Sequence, residues 1–416
     1  MSNLRAKYFY DCICRKDSVF FSCDKEKFVR ESDEIGLGQY RFNNPWDMES
    51  CTTPFQLVRN RTYYSPNGDP EWVYSFSRME YLRKLIVAFY LTRDRKYLIL
   101  HKNNVASFYS QNNKWKSRLQ KSSRSYIVRG YRKVSRIIRE SILSQPPIIS
   151  TYRTLDTAIR NYSLLVDCCY LKASNCCDKY CAYLYKHVVN DLNFVIKDFN
   201  SFDEFSNWGL IKILLYTTCK IMIGCNDVHC EEEIILRLLN NQIKKDGGHI
   251  ENSNMYHIQI LICLLRFVYW CKLEGIPFTD EISSIAEKMT EYAYTLADPL
   301  GFQIMYGDSD YTCLDTILYI ACNVLGIGKR LYKNKPDDTL LLMEFPTLIY
   351  CENNPVSFMK RTSGELDSGI WYFNSDEYFV RAYNESSESG HKHADNGEIV
   401  LYYDRMPIIT DLGRFS

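Results

Sequence analysis

Asp246-Gly247-Gly248-His249-Ile250-Glu251-Asn252-Ser253-Asn254-Met255-Tyr256-His257 runs straight into Ile258, Leu261, Leu264, Leu265 and Val268, an apolar stripe at helical spacing. A glycine turn feeding such a stripe predicts a helix with Tyr256 and His257 near its start. The same thing happens upstream at Ser206-Asn207-Trp208-Gly209, where Ser206 stands at an N-cap position and Asn207 in the first turn. Free backbone N–H groups and the positive end of the helix dipole favour an anion at both places, a carboxylate or a transient phenolate. Two such starts on one rim would suit an acidic sugar.

Working outward, the pattern is repeatedly helical from about Trp72 to Leu325, with Leu82, Leu85, Ile86, Phe89 and Tyr90 as its clearest stripe. Breaks at Gln145-Pro146-Pro147, Asp246-Gly247-Gly248, Gly275-Ile276-Pro277 and Asp298-Pro299 leave paired helices of ordinary length. These imply a bundle, solenoid or toroid. After Pro336 the texture turns to short β-rich segments: Thr347 to Cys351, Gly369 to Phe373, Tyr378 to Tyr383, Glu398 to Tyr403 and Pro407 to Thr410. The expected division is an N-terminal segment 1–68, a helical domain 69–335 and a β domain 336–416. About five strands fit before Ser416 where a β-sandwich usually needs about seven or more, so the chain is expected to end inside a domain or to pair its exposed edges some other way.

A chain of 416 residues, 46% hydrophobic and 24% charged with a net charge of +1, is an ordinary globular protein with no global pull toward nucleic acid or membrane. One local bias stands out. Between Lys114 and Arg139 there are ten basic residues and no Asp or Glu, a polyanion-attracting stretch or a solvated helix face. Few aromatics interleave it, which argues against nucleic acid. No signal or transmembrane segment is legible, and the apolar runs Ile211 to Ile223 and Ile258 to Trp270 read as buried helices. Seventeen cysteines, odd in number and partly adjacent, fit a reducing compartment better than a disulfide framework. A cytoplasmic location is expected, with the periplasm or cell envelope as the alternative.

The ordered motifs Tyr152-Arg153-Thr154-Leu155, Ser206-Asn207, Asp246-Gly247 with Glu251 and Tyr256-His257, Gly307-Asp308-Ser309-Asp310, Gly390-His391-Lys392-His393-Ala394-Asp395 and Thr410-Asp411-Leu412-Gly413 carry a resemblance. From Asp69 onward the chain resembles the heparinase II/III group of polysaccharide lyases and the related alginate lyases. The resemblance implies an α+β multidomain fold: an incomplete (α/α) toroid of paired helices followed by the beginning of an antiparallel β-sandwich, with substrate in a cleft between them. It implies cleavage of a uronic-acid-containing acidic polysaccharide by β-elimination. A uronate C5 proton is weakly acidic until the adjacent carboxylate is neutralised or hydrogen-bonded. Asn207 matches the family's neutraliser with His391 as helper, and Tyr256 matches the residue that takes the C5 proton and returns one to the leaving O4. For the opposite C5 epimer, His391 is instead the base on the other sugar face.

Substrate contacts fall to His257, Glu251, Trp208 and Arg153. His257 either holds the tyrosine or packs, and Glu251 orients the tyrosine, binds a sugar hydroxyl or caps a helix. Trp208, where some alginate-lyase relatives carry His, stacks on a sugar or packs. His393 and Asp411 match a metal-associated position, which gives a structural zinc as the one cofactor implied; none is needed for the chemistry, and the further ligand would lie beyond Ser416. Two other functions fit the sequence. One is a non-catalytic, glycan-binding remnant of such a lyase. The other is an inverting glycoside hydrolase using Glu251 and Asp308.

Overall fold

The computed structural model describes residues 25–47, 51–57, 61–65, 69–122, 149–173, 178–197, 199–328, 330–348, 363–384 and 396–411. The chain divides into two compact units, one of Ser2–Asn43 and Glu49–Asp198, the other of Asn44–Met48 and Phe199–Ser416.

The N-terminal unit contains α1 (Lys25–Gly36), the antiparallel pair β1 (Gln39–Phe42) and β2 (Cys51–Gln56), then α2 (Glu71–Arg78), α3 (Arg83–Thr92), α4 (Arg95–Ser122), α5 (Thr154–Ala173) and α6 (Asp178–Lys197). Every residue of α5 except Lys172 is buried, so its polar side chains must find partners inside the protein. Asp156 takes Arg78 at 2.9 Å and Arg153 at 2.7 Å, while Asp167 takes Arg83 and, at 3.0 Å, His101. Burial alone would raise the Asp156 carboxyl; the two arginines outweigh it and hold it below the usual carboxylate range. Removing one partner of a pair buried this deeply would strand the other charge and destabilise the unit. The basic stretch from Lys114 to Arg139 lies outside the residues whose side chains are described.

The C-terminal unit contains α7 (Asn207–Ile223), α8 (His229–Gln242), α9 (Asn254–Glu274), α10 (Asp280–Thr295), α11 (Asp315–Leu325) and α12 (Asp338–Glu344). Its sheet is β3 (Ser363–Glu365), β4 (Ile370–Asn374), β5 (Tyr378–Tyr383), β6 (Ile399–Tyr403) and β7 (Met406–Ile409). Among the described residues only α9 is long and apolar enough to cross a membrane, and 83% of its apolar window is buried inside the protein, as befits the central helix against which α7, α10 and α11 pack.

The five strands follow chain order, each antiparallel to the next. One face puts Ile370, Tyr372, Phe379, Tyr383, Val400 and Tyr402 onto Tyr292, Leu296, Ile304 and Tyr306. Arg381 ties this face to α10 by donating from Nε to the Thr295 carbonyl at 3.0 Å. The opposite face is apolar too: Trp371 and Ile399 flank Ala382 in one cross-strand row, and Tyr378 pairs Tyr403 in another. A sheet apolar on both faces is the layer of a sandwich. Two expectations need correcting here. Thr347 sits in a turn after α12, with Ile349 to Cys351 outside the described residues, and the first strand of this sheet among the described residues is Ser363–Glu365, whose Ser-Gly-Glu has no β-forming side chain to announce it. Asp338–Glu344, expected in β-rich sequence, is a helix; a short apolar run such as Leu340-Leu341-Leu342 does not by itself distinguish the two.

Candidate functional site

The start of α7 is shaped by the turn before it. Residues 203–205 form a 3-10 turn whose main chain lies so close to Gly209 that a Cβ there would sit 1.8 Å from the Asp203 carbonyl oxygen. Asp203 is also paired with Lys212 at 2.5 Å, both side chains buried. Ser206 occupies the N-cap in extended conformation (φ −126°, ψ 149°), yet its hydroxyl makes no capping bond. The cap comes from Glu251, whose Oε1 accepts the Asn207 main-chain N–H at 3.0 Å. A carboxylate in that place also meets the positive end of the α7 dipole. The Asn207 side chain is 2% exposed, and its Nδ2 has no hydrogen-bond partner among the described residues.

Glu251 is held out toward α7 by the turn that precedes it. Ile243 and His249 form an antiparallel bridge, and Asp246 closes the loop by accepting the Gly248 N–H at 2.9 Å on one oxygen and the Ser368 N–H at 2.8 Å on the other. Gly247 (φ +92°) has no room for a side chain, since a Cβ would lie 2.3 Å from the Lys288 carbonyl oxygen. The Glu251 N–H donates to His249 Nδ1 at 3.3 Å, which leaves the other ring nitrogen as the donor to Gln242 Oε1, also at 3.3 Å. Gln242 Nε2 in turn donates to the Glu204 carbonyl at 3.1 Å. The turn before α9 is thus tied to the start of α7 twice, through Glu251 and through His249 and Gln242.

At α9 the N-cap is Ser253, again extended (φ −135°, ψ 129°) and again without a capping bond of its own. Its hydroxyl donates to the Asp308 carbonyl at 2.7 Å, and the Met255 N–H donates to Ser309 Oγ at 3.2 Å. Asn254 is fully engaged: its N–H donates to the Tyr306 carbonyl at 3.3 Å and its Nδ2 to the Ile304 carbonyl at 2.7 Å. Tyr256, one position further, is half-buried at the head of the helix. His257 points inward, its Nε2–H donating to the Met289 carbonyl at 3.0 Å and its ring 4.9 Å from Tyr292. Burial lowers its pKa to about 4, so the imidazole is neutral.

The structure therefore bonds Asn207 to Glu251 and the α9 N-cap to the Asp308-Ser309 loop, with Tyr256 and His257 on the first turn of α9 and the His257 side chain turned to Met289. Trp208 is half-buried with its ring edge-on to Phe202 at 6.0 Å. Arg153 belongs to the N-terminal unit, where it contacts Asp156, Glu71 at 3.3 Å and the face of Tyr74 at 3.2 Å. His391 and His393 lie outside the described residues. Asp411 lies just beyond β7, and among the described residues no three His, Cys, Asp or Glu side chains come together as a metal site; no step below passes through zinc. Sequence reasoning passed over His249, Gln242 and Asp246. Their signal was the Asp-Gly-Gly-His turn itself, legible as a loop but silent about which neighbours it reaches.

Residues 60–319 match the family model described as Heparinase II/III N-terminus. Among solved structures, the chain is similar to heparinase III with TM-score 0.64 at 14% identity, covering 98% of this chain and 62% of that one. A heparan sulfate lyase HepC mutant from Pedobacter heparinus gives TM-score 0.59 at 15% identity, covering 99% of this chain and 61% of that one. The HepC structure from the same organism gives 0.57 at 15% identity over the same shares. No curated protein matches by sequence. The chain spans about three fifths of the length of these structures, and the fold class is the one expected from the sequence, an incomplete (α/α) toroid of paired helices followed by the beginning of an antiparallel β-sandwich, here one five-stranded sheet among the described residues. Because the family match runs over well more than half of its residues, this chain belongs to the heparinase II/III family.

Proposed function

We propose that the protein is a polysaccharide lyase that cleaves a uronic-acid-containing glycan, of the glycosaminoglycan class, by β-elimination. The observation that carries this is the Asn207 amide: buried at a helix start, with an unpartnered donor, in a segment bonded through Glu251 to the one that presents Tyr256. An amide donor that hydrogen-bonds a uronate carboxylate acidifies the C5 proton. Tyr256 takes that proton and protonates the departing O4 oxygen, with His391 as the second group at the carboxylate. Glu251, engaged as the cap of α7, positions Asn207.

The test is to incubate the protein with heparan sulfate, unsulfated heparosan and alginate and follow ultraviolet absorbance of the unsaturated product. Product with at least one polymer, reduced by about a hundredfold or more in Tyr256→Phe, is the expected result. Folded protein that binds these polymers without forming product would replace this function with that of a glycan-binding relative.

A further inference from the structure

Beside the loop that caps α9 lies a cavity of about 330 Å³ lined by Ile304, Met305, Tyr311, Tyr402, Thr410 and Asp411, among others. Ile304 gives its carbonyl to Asn254, so the cavity is one chain segment away from the start of α9. Tyr311, 44% exposed, stacks on Phe302 at 4.5 Å with the rings 6° from parallel. Tyr402 is buried on the sheet.

The polar character of this cavity is set by a carboxylate behind it. Asp298 is fully buried; its Oδ1 accepts the Leu300 and Phe302 N–H groups at 2.8 and 2.9 Å. Its Oδ2 accepts the hydroxyls of both Tyr311 (2.8 Å) and Tyr402 (3.0 Å). Each phenol has one proton and gives it to Asp298, so each presents only lone pairs elsewhere. Burial and then Asp298 push the Tyr311 hydroxyl up to about 12, which keeps it protonated. Asp411 adds a carboxylate to the lining. Lys333, whose ammonium donates to the carbonyls of Ala297 and Asp298, does not line the cavity. The lining side chains thus offer mainly acceptors, aromatic faces and negative charge, with the Thr410 hydroxyl able to donate as well as accept.

We propose that this cavity is a subsite for a primary ammonium group carried on a sugar, an amino sugar whose nitrogen is unsubstituted. An ammonium supplies three donors to phenols and a carboxylate that only accept and gains from the tyrosine faces, whereas an acetamido or sulfamido nitrogen brings no positive charge to Asp411 and adds oxygen acceptors to a wall rich in acceptors. That the occupant is a sugar rests on the lyase function proposed above; the preference for ammonium rests on the cavity alone.

The experiment is a titration of the full chain with D-glucosamine, N-acetyl-D-glucosamine and D-glucose at mildly acidic pH, read by calorimetry or ligand-observed NMR. Glucosamine is expected to bind about tenfold or more tighter than either of the others, the scale of a charge-assisted hydrogen bond. Asp411→Asn is expected to remove most of that margin, and Thr410→Arg, at an exposed position that tolerates a larger side chain, to block binding. Equal affinity for the three sugars, or glucosamine binding unchanged in Thr410→Arg, overturns the proposal. Binding is read without turnover, so the two ideas fail separately. Glucosamine preference in a protein that forms no unsaturated product supports the ammonium cavity and counts against the lyase; product formation without that preference does the reverse.

Discussion

The two helix starts of the C-terminal unit are written almost alike, Ser206-Asn207-Trp208-Gly209 and Ser253-Asn254-Met255-Tyr256, and the structure uses them differently. In both the serine is an extended N-cap whose hydroxyl does not cap, and in both the cap arrives from a distant residue, Glu251 for one and Ser309 for the other. The asparagines then part company. Asn254 spends its amide on the Ile304 carbonyl, while the Asn207 Nδ2 is buried and unpartnered among the described residues. A buried polar group without a partner costs free energy, and water or a ligand group that supplies the missing acceptor recovers it. The fourth positions differ for an equally physical reason: Gly209 is pressed against the Asp203 main chain, and Tyr256 has room to be half-exposed. In the function proposed above, the first start binds the substrate carboxylate and the second presents the phenol.

The comparison can be broken most severely at its fourth position. Gly209→Ala should destabilise the fold by more than about 4 kcal/mol, because the Cβ meets backbone and not a movable side chain; chemical denaturation measures it, and a loss below about 1 kcal/mol would show that the 203–205 turn yields easily. Next is His257. With a folded pKa of about 4 against 6.5 for an unperturbed histidine, the unfolded chain binds the extra proton. Stability therefore falls as pH drops from about 6.5 to 4, by on the order of 3 kcal/mol, and is flat above. His257→Gln should flatten that slope in unfolding experiments run across the same window. The caps come last. Ser309→Ala removes the acceptor for the Met255 N–H and should cost about 1 to 2 kcal/mol, whereas Glu251→Gln keeps an oxygen at α7 and loses only its charge, about 0.5 to 1 kcal/mol. Thermal unfolding of the two variants side by side checks the order, and the reverse order would mean that the charge at α7 matters more than the bond.

Both helix starts were legible in the sequence because a polar pair before an apolar stripe is a local signal, and so were four of the five strands of the C-terminal sheet, where alternation or β-branched and aromatic residues mark them, whereas β1 and β2 were not. Ser363–Glu365 was not, since its place is set by pairing with Trp371 to Phe373 and not by its own residues. For the site, the identities of Asn207, Glu251 and Tyr256 could be read, but not that Glu251 caps the other helix 44 residues upstream. That bond depends on how the 243–249 turn is aimed, which is fixed by Asp246, His249 and the space denied to any side chain at Gly247. Sequence order also placed Arg153 among the substrate contacts. The structure commits its guanidinium to Asp156 and Glu71, partners drawn from within its own unit.

The most direct test is to make Asn207→Ala and Asn254→Ala and measure, for each, the unfolding free energy and the rate of unsaturated product formation per folded molecule. Asn254→Ala is expected to lose about 1 to 3 kcal/mol of stability with its rate largely kept, since it leaves the Ile304 carbonyl without its donor. Asn207→Ala is expected to keep its stability within about 0.5 kcal/mol and to lose about a hundredfold or more in rate, the scale of one oxyanion-stabilising donor. If Asn207→Ala instead loses stability as Asn254→Ala does and forms product at the parent rate, the two helix starts are equivalent structural caps and Asn207 has no part in the chemistry.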